Sequence, residues 1–184
     1  MSLILIIVLV VLVVLAIMVI AIYNRLVALR QSCRQGAADI DAQLRQRHDL
    51  VPNLVSTVKG YATHERETLD AVIAARNTAV ANPSPQSEAA LRGSLDRLLA
   101  LGEAYPDLKA SANFQSLQGE LADLEDKLAA ARRALNGAVS RFNAAIESFP
   151  AVLFAGMLGF RAEDFSRLSE SEKGVVDQVP NVQF

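Results

Sequence analysis

Apolar positions divide this chain into three regimes. From Leu3 to Ile22, twenty consecutive residues carry no charge, glycine or proline, and nearly all are Leu, Ile or Val. At about 1.5 Å of rise per residue, a helix of that length covers about 30 Å, the thickness of a bilayer's hydrocarbon core. A single segment satisfies its own backbone there only as a helix. From Ile40 the pattern becomes periodic: Ile40, Leu44, Val51, Leu54, Val55, Val58, Ala62, Leu69, Val72, Ile73 and Val80 recur at steps that fit one face of a helix. From Phe114 it tightens. Phe114, Leu117, Leu121, Leu124, Leu128, Ala131, Leu135, Ala138, Phe142, Ala145 and Phe149 alternate steps of three and four without a slip. That 3.5-residue repeat marks a helix packed along a partner with a left-handed twist. No strand-like alternation occurs.

Breakers bound these elements. Pro52 removes a hydrogen bond to the His48 carbonyl and crowds it, so a kink or restart is expected there. Asn82-Pro83-Ser84-Pro85 ends the helix; Ser84 suits an N-cap and Pro85 the first position of a second helix running to about Ala104. Tyr105-Pro106-Asp107 breaks the chain again, and Asn113 can cap the third helix. Phe149 to Phe160, FPAVLFAGMLGF, is too short to span a membrane. It reads first as core and second as an interfacial segment. Beyond Arg161 a short helix through Phe165 and Leu168 and an extended end over 179–184 are expected.

The fold class is therefore all-α: an N-terminal transmembrane helix (1–23) continuing into a long-helix antiparallel bundle of three to four helices (24–160), then a tail (161–184). A helix from Asn24 to about Ala81 would measure ~87 Å, and the second and third helices end to end ~85 Å. A broken return along the first helix would bring Phe149 back to the membrane. A four-helix up-and-down arrangement, reversing at Tyr105, is the alternative.

Charge and composition narrow the function. The net charge is −2 with both signs interleaved, so no basic face points to nucleic acid. Tryptophan is absent and aromatics are sparse, which disfavours base-stacking platforms. Only Arg25, Arg30 and Arg34 stand out by position. They follow the apolar run closely and nothing basic precedes it, so the body is expected in the cytosol and the N-terminus outside. Beside a cytoplasmic leaflet the three could contact anionic headgroups. The long run, with no basic start and a poor cleavage site, reads as a retained anchor rather than a signal peptide.

Candidate chemistry is thin. His48 and His64, sixteen residues apart, fall about 24 Å apart if they share one helix, on roughly opposite sides, and read as solvent-facing or capping residues. Asp39 and Asp41 diverge on a helix, and Arg45, Arg47, Arg132 and Arg133 read as surface charges. Cys33 has no histidine within a turn, and no phosphate-loop, dinucleotide or nucleophile-elbow motif occurs. No enzyme, cofactor or metal is expected.

Longer motifs carry a resemblance. Asp39-Ile40-Asp41-x-Gln43-Leu44 leads into His48-Asp49-Leu50-Val51-Pro52-Asn53-Leu54-Val55, then Thr57-Val58-Lys59-Gly60-Tyr61-Ala62 and His64-Glu65. Glu103-Ala104-Tyr105-Pro106-Asp107-Leu108-Lys109-Ala110 forms a second block. Phe114-x-x-Leu117-Gln118-x-Glu120-Leu121, Ala130-x-Arg132, Asn136, Asn143 and Phe149-Pro150 form a third, with Gly159-Phe160 and Phe165 at the end. Together these closely resemble the LemA family over essentially the whole chain. The family's usual tryptophan near Ala37 is missing, which leaves a small, hinge-like Gly36-Ala37-Ala38. Leu135 and Phe142 stand where the family tends to have Tyr before Asn136 and Asn143. The resemblance implies a single-anchor bacterial inner-membrane protein with a helical-bundle body and no enzymatic activity, related to proteins associated with membrane remodelling. The expected function is a membrane-anchored scaffold that self-associates and organises or remodels the membrane. An adaptor presenting a helical surface to another membrane protein, such as a protease or signalling complex, is the alternative.

Overall fold

The structure, a computed structural model, describes residues 2–162. The expectations for Phe165, Leu168 and 179–184 lie outside them. Every regular element described is helical: α1 Ser2–Tyr61, α2 Arg66–Ala81, α3 Pro85–Ala104, α4 Pro106–Lys109, α5 Ala112–Glu147 and a 3₁₀ turn Ala151–Leu153. They group into two compact units, one holding residues up to Asp39 together with the chain from Ala131, the other Ile40–Ala130.

In the 40–130 unit the helices run up and down. Arg76 of α2 lies beside His48 of α1, so α2 folds back along α1. Glu88, near the start of α3, meets Arg47 and His48, whereas Tyr105, at its end, meets Glu65, so α3 reverses again. Phe114 of α5 packs at Gly102 and Glu125 reaches Arg47, which completes the fourth pass. The reversal at Tyr105 thus occurs, through the short α4, and α3 and α5 are not collinear. The core is Val51, Leu54, Val58, Leu69, Val72, Leu91, Leu95, Leu98, Leu108, Phe114 and Leu121, all nearly inaccessible.

Two expectations about helix ends change. The first helix does not reach Ala81 unbroken; it stops at Tyr61 and α2 starts at Arg66. Between buried Ala62 and Leu69 stand six polar residues, Thr63 to Thr68, so no apolar side chain ties that turn to a core. The break resets the phase of α2: Leu69, Val72 and Ala79 face inward, leaving Ile73 and Val80 exposed. It also removes His48 and His64 from a common helix. Asn113 does not cap α5, because the Ser111 carbonyl already accepts from Gln115 N–H. By contrast α3 begins with Ser84 accepting from Ser87 N–H in a reciprocal box, with Pro85 at its first position.

At Pro52 the helix neither ends nor restarts. The ring leaves the His48 carbonyl without its helical donor. Arg76 Nε donates to that carbonyl at 2.8 Å, a replacement from the neighbouring helix. The exposed ring of Pro52 crowds nothing in the core.

In the other unit α5 runs antiparallel to α1. A Cβ on Gly36 would lie 3.2 Å from Leu135, so glycine lets the two backbones approach there, and the helix shows no hinge at 36–38. Leu135, Ala138, Phe142 and Ala145 are buried, as are Leu26, Cys33 and Gly36 on α1. Phe149 departs from the expected seam: α5 ends at Glu147, and the side chain is 80% exposed. Leu117 is half-buried; the other seam leucines and phenylalanines, Phe114, Leu121, Leu124, Leu128, Leu135 and Phe142, are buried.

Candidate functional site

Two places in the structure hold more than packing. The first is a buried ionic cluster in the 40–130 unit. Arg47, 2% exposed, donates to a Glu88 carboxylate oxygen and, through its other terminal nitrogen, to Glu125 Oε1 at 2.7 Å. His48 Nε2 sits 3.0 Å from the second Glu88 oxygen. A carboxylate can only accept, so Nε2 is the protonated ring nitrogen. Arg92, largely exposed, stands 3.9 Å from Glu125 Oε2. The cluster joins α1, α3 and α5, and through the His48 carbonyl also α2. Arg47 and His48 are therefore neither surface nor capping residues, as their sequence context suggested. His64 is exposed, as are Arg45, Asp39, Asp41, Arg132 and Arg133.

Chemically the cluster is a lock. Its carboxylates are held by a guanidinium and an imidazole, and among the described residues no group of three or more His, Cys, Asp or Glu is arranged to hold a metal. An open groove of about 370 Å³ between Asp49 and Asp123 lies on the same unit, and neither Arg47 nor His48 lines it. Sequence reasoning missed Glu88 and Glu125 entirely. Glu88 sits in the first turn of α3, where an acid suits the helix dipole, and that local explanation hid its long-range partner.

The second place is the end of the other unit where the apolar run of α1 stops. One described helix, α1, is long and apolar enough to cross a membrane. Where the apolar run ends, the Tyr23 ring meets Phe160 edge-on at 5.6 Å, and Phe142 meets the same ring at 6.4 Å. The Arg30 guanidinium lies 4.8 Å above Phe160, a cation–π contact. Arg25 and Arg34 are exposed. At 1.5 Å per residue, Arg25, Arg30 and Arg34 stand about 4.5, 12 and 18 Å beyond Ile22. A headgroup layer adds about 5–8 Å on each side of a bilayer's hydrocarbon.

The family model described as the LemA family matches residues 36–184. The chain belongs to the LemA family. Among its relatives, Protein LemA of Metamycoplasma hominis is 28% identical over 84% of this chain and 73% of that protein. Magnetosome protein MamQ of Magnetospirillum gryphiswaldense is 20% identical over 78% of this chain. Magnetosome protein MamQ 2 of Paramagnetospirillum magneticum is 30% identical over 45% of it. These matches span 64% and 31% of the two magnetosome proteins, so the chain covers under two thirds of their length.

The LemA signature residues distribute over both places. In the first block, His48 enters the ionic cluster and Pro52 creates the carbonyl that Arg76 occupies. Asp49, Asn53, Lys59 and Gly60 are exposed and Tyr61 nearly half so. In the second, Tyr105 caps α3 and donates its hydroxyl to Glu65 Oε1 at 2.9 Å; that bond, with partial burial and the carboxylate's charge, raises the phenol above its ordinary pKa. Pro106 opens α4. Asn143 is half-buried on α5 beside Phe142. Among the described residues, members of the LemA blocks thus stand in the ionic cluster and at the helix ends of the bundle.

Proposed function

We propose that this LemA protein is a non-enzymatic, membrane-anchored scaffold. Its first helix crosses the bacterial inner membrane, its body lies on the cytosolic side, and copies associate laterally to organise or remodel the bilayer. The observation that carries the reading is the contrast within α1. The run through Leu15 is exposed along its whole length, at 44–70% per large apolar residue, whereas the same helix from Leu26 onward buries one face among the other helices. A helix so built needs lipid at one end and protein at the other. Arg25 at headgroup depth supports the cytosolic placement. Kinship with two magnetosome proteins supports a role at a membrane.

The test has two arms. The full-length chain should stay with membranes through an alkaline wash and leave only with detergent; release by the wash would overturn the anchor. For orientation, Cys33 is buried and a poor reporter, so the variant Cys33→Ala, Ser116→Cys carries the label at an exposed helix position. A membrane-impermeant thiol reagent should modify it only after lysis. Modification in intact cells would place the body outside.

A further inference from the structure

The segment after α5 divides its apolar side chains in two. Ala151, Ala155 and Phe160 point inward, at 7% exposure or less, whereas Phe149, Val152, Leu153 and Met157 stand out at 80, 51, 60 and 87%. No charged residue occurs from Ser148 to Phe160. A chain of turns holds the segment: Val152 N–H donates to Ser148, Ala155 to Ala151, Leu158 to Phe154 and Phe160 to Ala155. The outward face is therefore preformed. Four large apolar side chains on one short segment are more than scattered surface hydrophobics require.

Register says what covers it. α5 runs antiparallel to α1 with Leu135 at Gly36. Twelve residues further on, at its last residue Glu147, α5 has come level with Asn24, two residues past the end of the apolar run. Phe160, at the far end of the segment, is pinned against Tyr23. Both ends of the segment thus lie at the depth where the span leaves the hydrocarbon.

We infer that Phe149, Val152, Leu153 and Met157 form a second membrane contact, a wedge that enters the headgroup–acyl boundary of the leaflet beside the body's own anchor. Apolar side chains of this kind seat a few ångströms below the headgroups. Being fixed to α5, they hold the body in one orientation to the bilayer, and they add area to one leaflet only. The occupant is lipid rather than a partner helix, because the face lies at lipid depth and carries no polar group to direct a protein contact. The inference rests on reading α1 as a span.

The chain has no tryptophan, so single Trp reporters resolve the question in the intact protein. Leu153→Trp and Met157→Trp change side chains already exposed; Leu12→Trp marks the span and Ser116→Trp the exposed body. Each full-length variant is reconstituted in vesicles of phosphatidylcholine and phosphatidylglycerol whose acyl chains are brominated either near the headgroup or deep. Shallow bromine should quench Leu153→Trp and Met157→Trp, deep bromine Leu12→Trp, and only aqueous iodide Ser116→Trp. If Leu153→Trp and Met157→Trp instead follow Ser116→Trp, the wedge is absent. If both resist iodide and bromine, protein covers the face, either a second copy or residues 163–184, and the lipid assignment is overturned. Failure of deep bromine to quench Leu12→Trp would remove the span reading itself, and this inference with it.

Discussion

Replacing Arg47 with methionine should destabilise the bundle more than almost any other single exchange. The side chain is 2% exposed and bridges two carboxylates, of which Glu88 keeps only 8% of its own exposure and Glu125 a third. Methionine fills similar volume, so the loss is electrostatic. Removing one partner of a buried ion pair typically costs about 3–5 kcal/mol, because the remaining charge is stranded out of water. Glu125 can turn outward toward Arg92, which favours the lower half of that range. Against a whole-domain stability of about 5–15 kcal/mol this is a large fraction. With a urea slope of about 2 kcal/mol per molar, a loss of about 4 kcal/mol moves the midpoint down by about 2 M. The assay is urea unfolding of the full-length chain in detergent, followed by helical circular dichroism. The double variant Arg47→Met, Glu88→Leu should recover most of the loss, since an apolar replacement of a buried pair is often neutral. It should fall short by about 1 kcal/mol, because His48 loses its acceptor. An Arg47→Met variant within about 0.5 kcal/mol of the parent would behave like a surface substitution and refute the lock. A double variant as damaged as the two singles added together would show that Arg47 and Glu88 do not act as a pair.

Three other outcomes are expected. Arg76→Leu strands the His48 carbonyl that Pro52 leaves open and should cost about 1.5–3 kcal/mol, whereas the further change Pro52→Ala should return part of it by restoring the helical donor. A Cβ on Gly102 would lie 2.7 Å from the buried Phe114 ring, whereas one on Gly119 meets nothing; Gly102→Ala should destabilise by about 1–3 kcal/mol and Gly119→Ala should stabilise by up to about 1 kcal/mol, both read from urea midpoints. The Tyr105 phenol is raised by Glu65, so the folded state holds that proton where the unfolded chain has released it; the stability it contributes is complete below the ordinary phenol value and falls as pH rises through the folded one. Tyr105→Phe should therefore flatten the alkaline decline in melting temperature above about pH 10, and an unchanged decline would assign it to other groups.

Long-period features were legible in the sequence and cross-chain partners were not. The apolar run, the seam from Phe114 to Phe142, and the Ser84–Pro85 start of α3 each rest on local spacing or capping chemistry, which a sequence displays directly. The break at Thr63–Thr68 was legible too, as six polar residues inside an apparent stripe, but the stripe was read across it. Phe149 keeps the 3.5-residue spacing but lies two residues past the end of a helix that stops at Glu147. The ionic cluster was the hardest to foresee. Arg47 and Glu88 lie forty-one residues apart, and each had an adequate local explanation, one as a surface charge and one as a first-turn acid. Only the up-and-down topology brings them together. Pro52 shows the same limit: its cost was visible, and the arginine twenty-four positions away that offsets it was not.

The mass of the full-length chain taken from its own membrane tests the scaffold reading most directly. Copies of the 19.8 kDa chain, extracted with surrounding lipid into polymer nanodiscs and weighed one particle at a time, are expected as assemblies of several chains that persist when the preparation is diluted. Cyclic association is the form that points every anchor into one bilayer, and anchoring raises the local concentration enough for modest lateral contacts to hold. Particles containing one chain each, in native membranes as well as in detergent, would contradict self-association and leave the body as a surface for some other membrane protein.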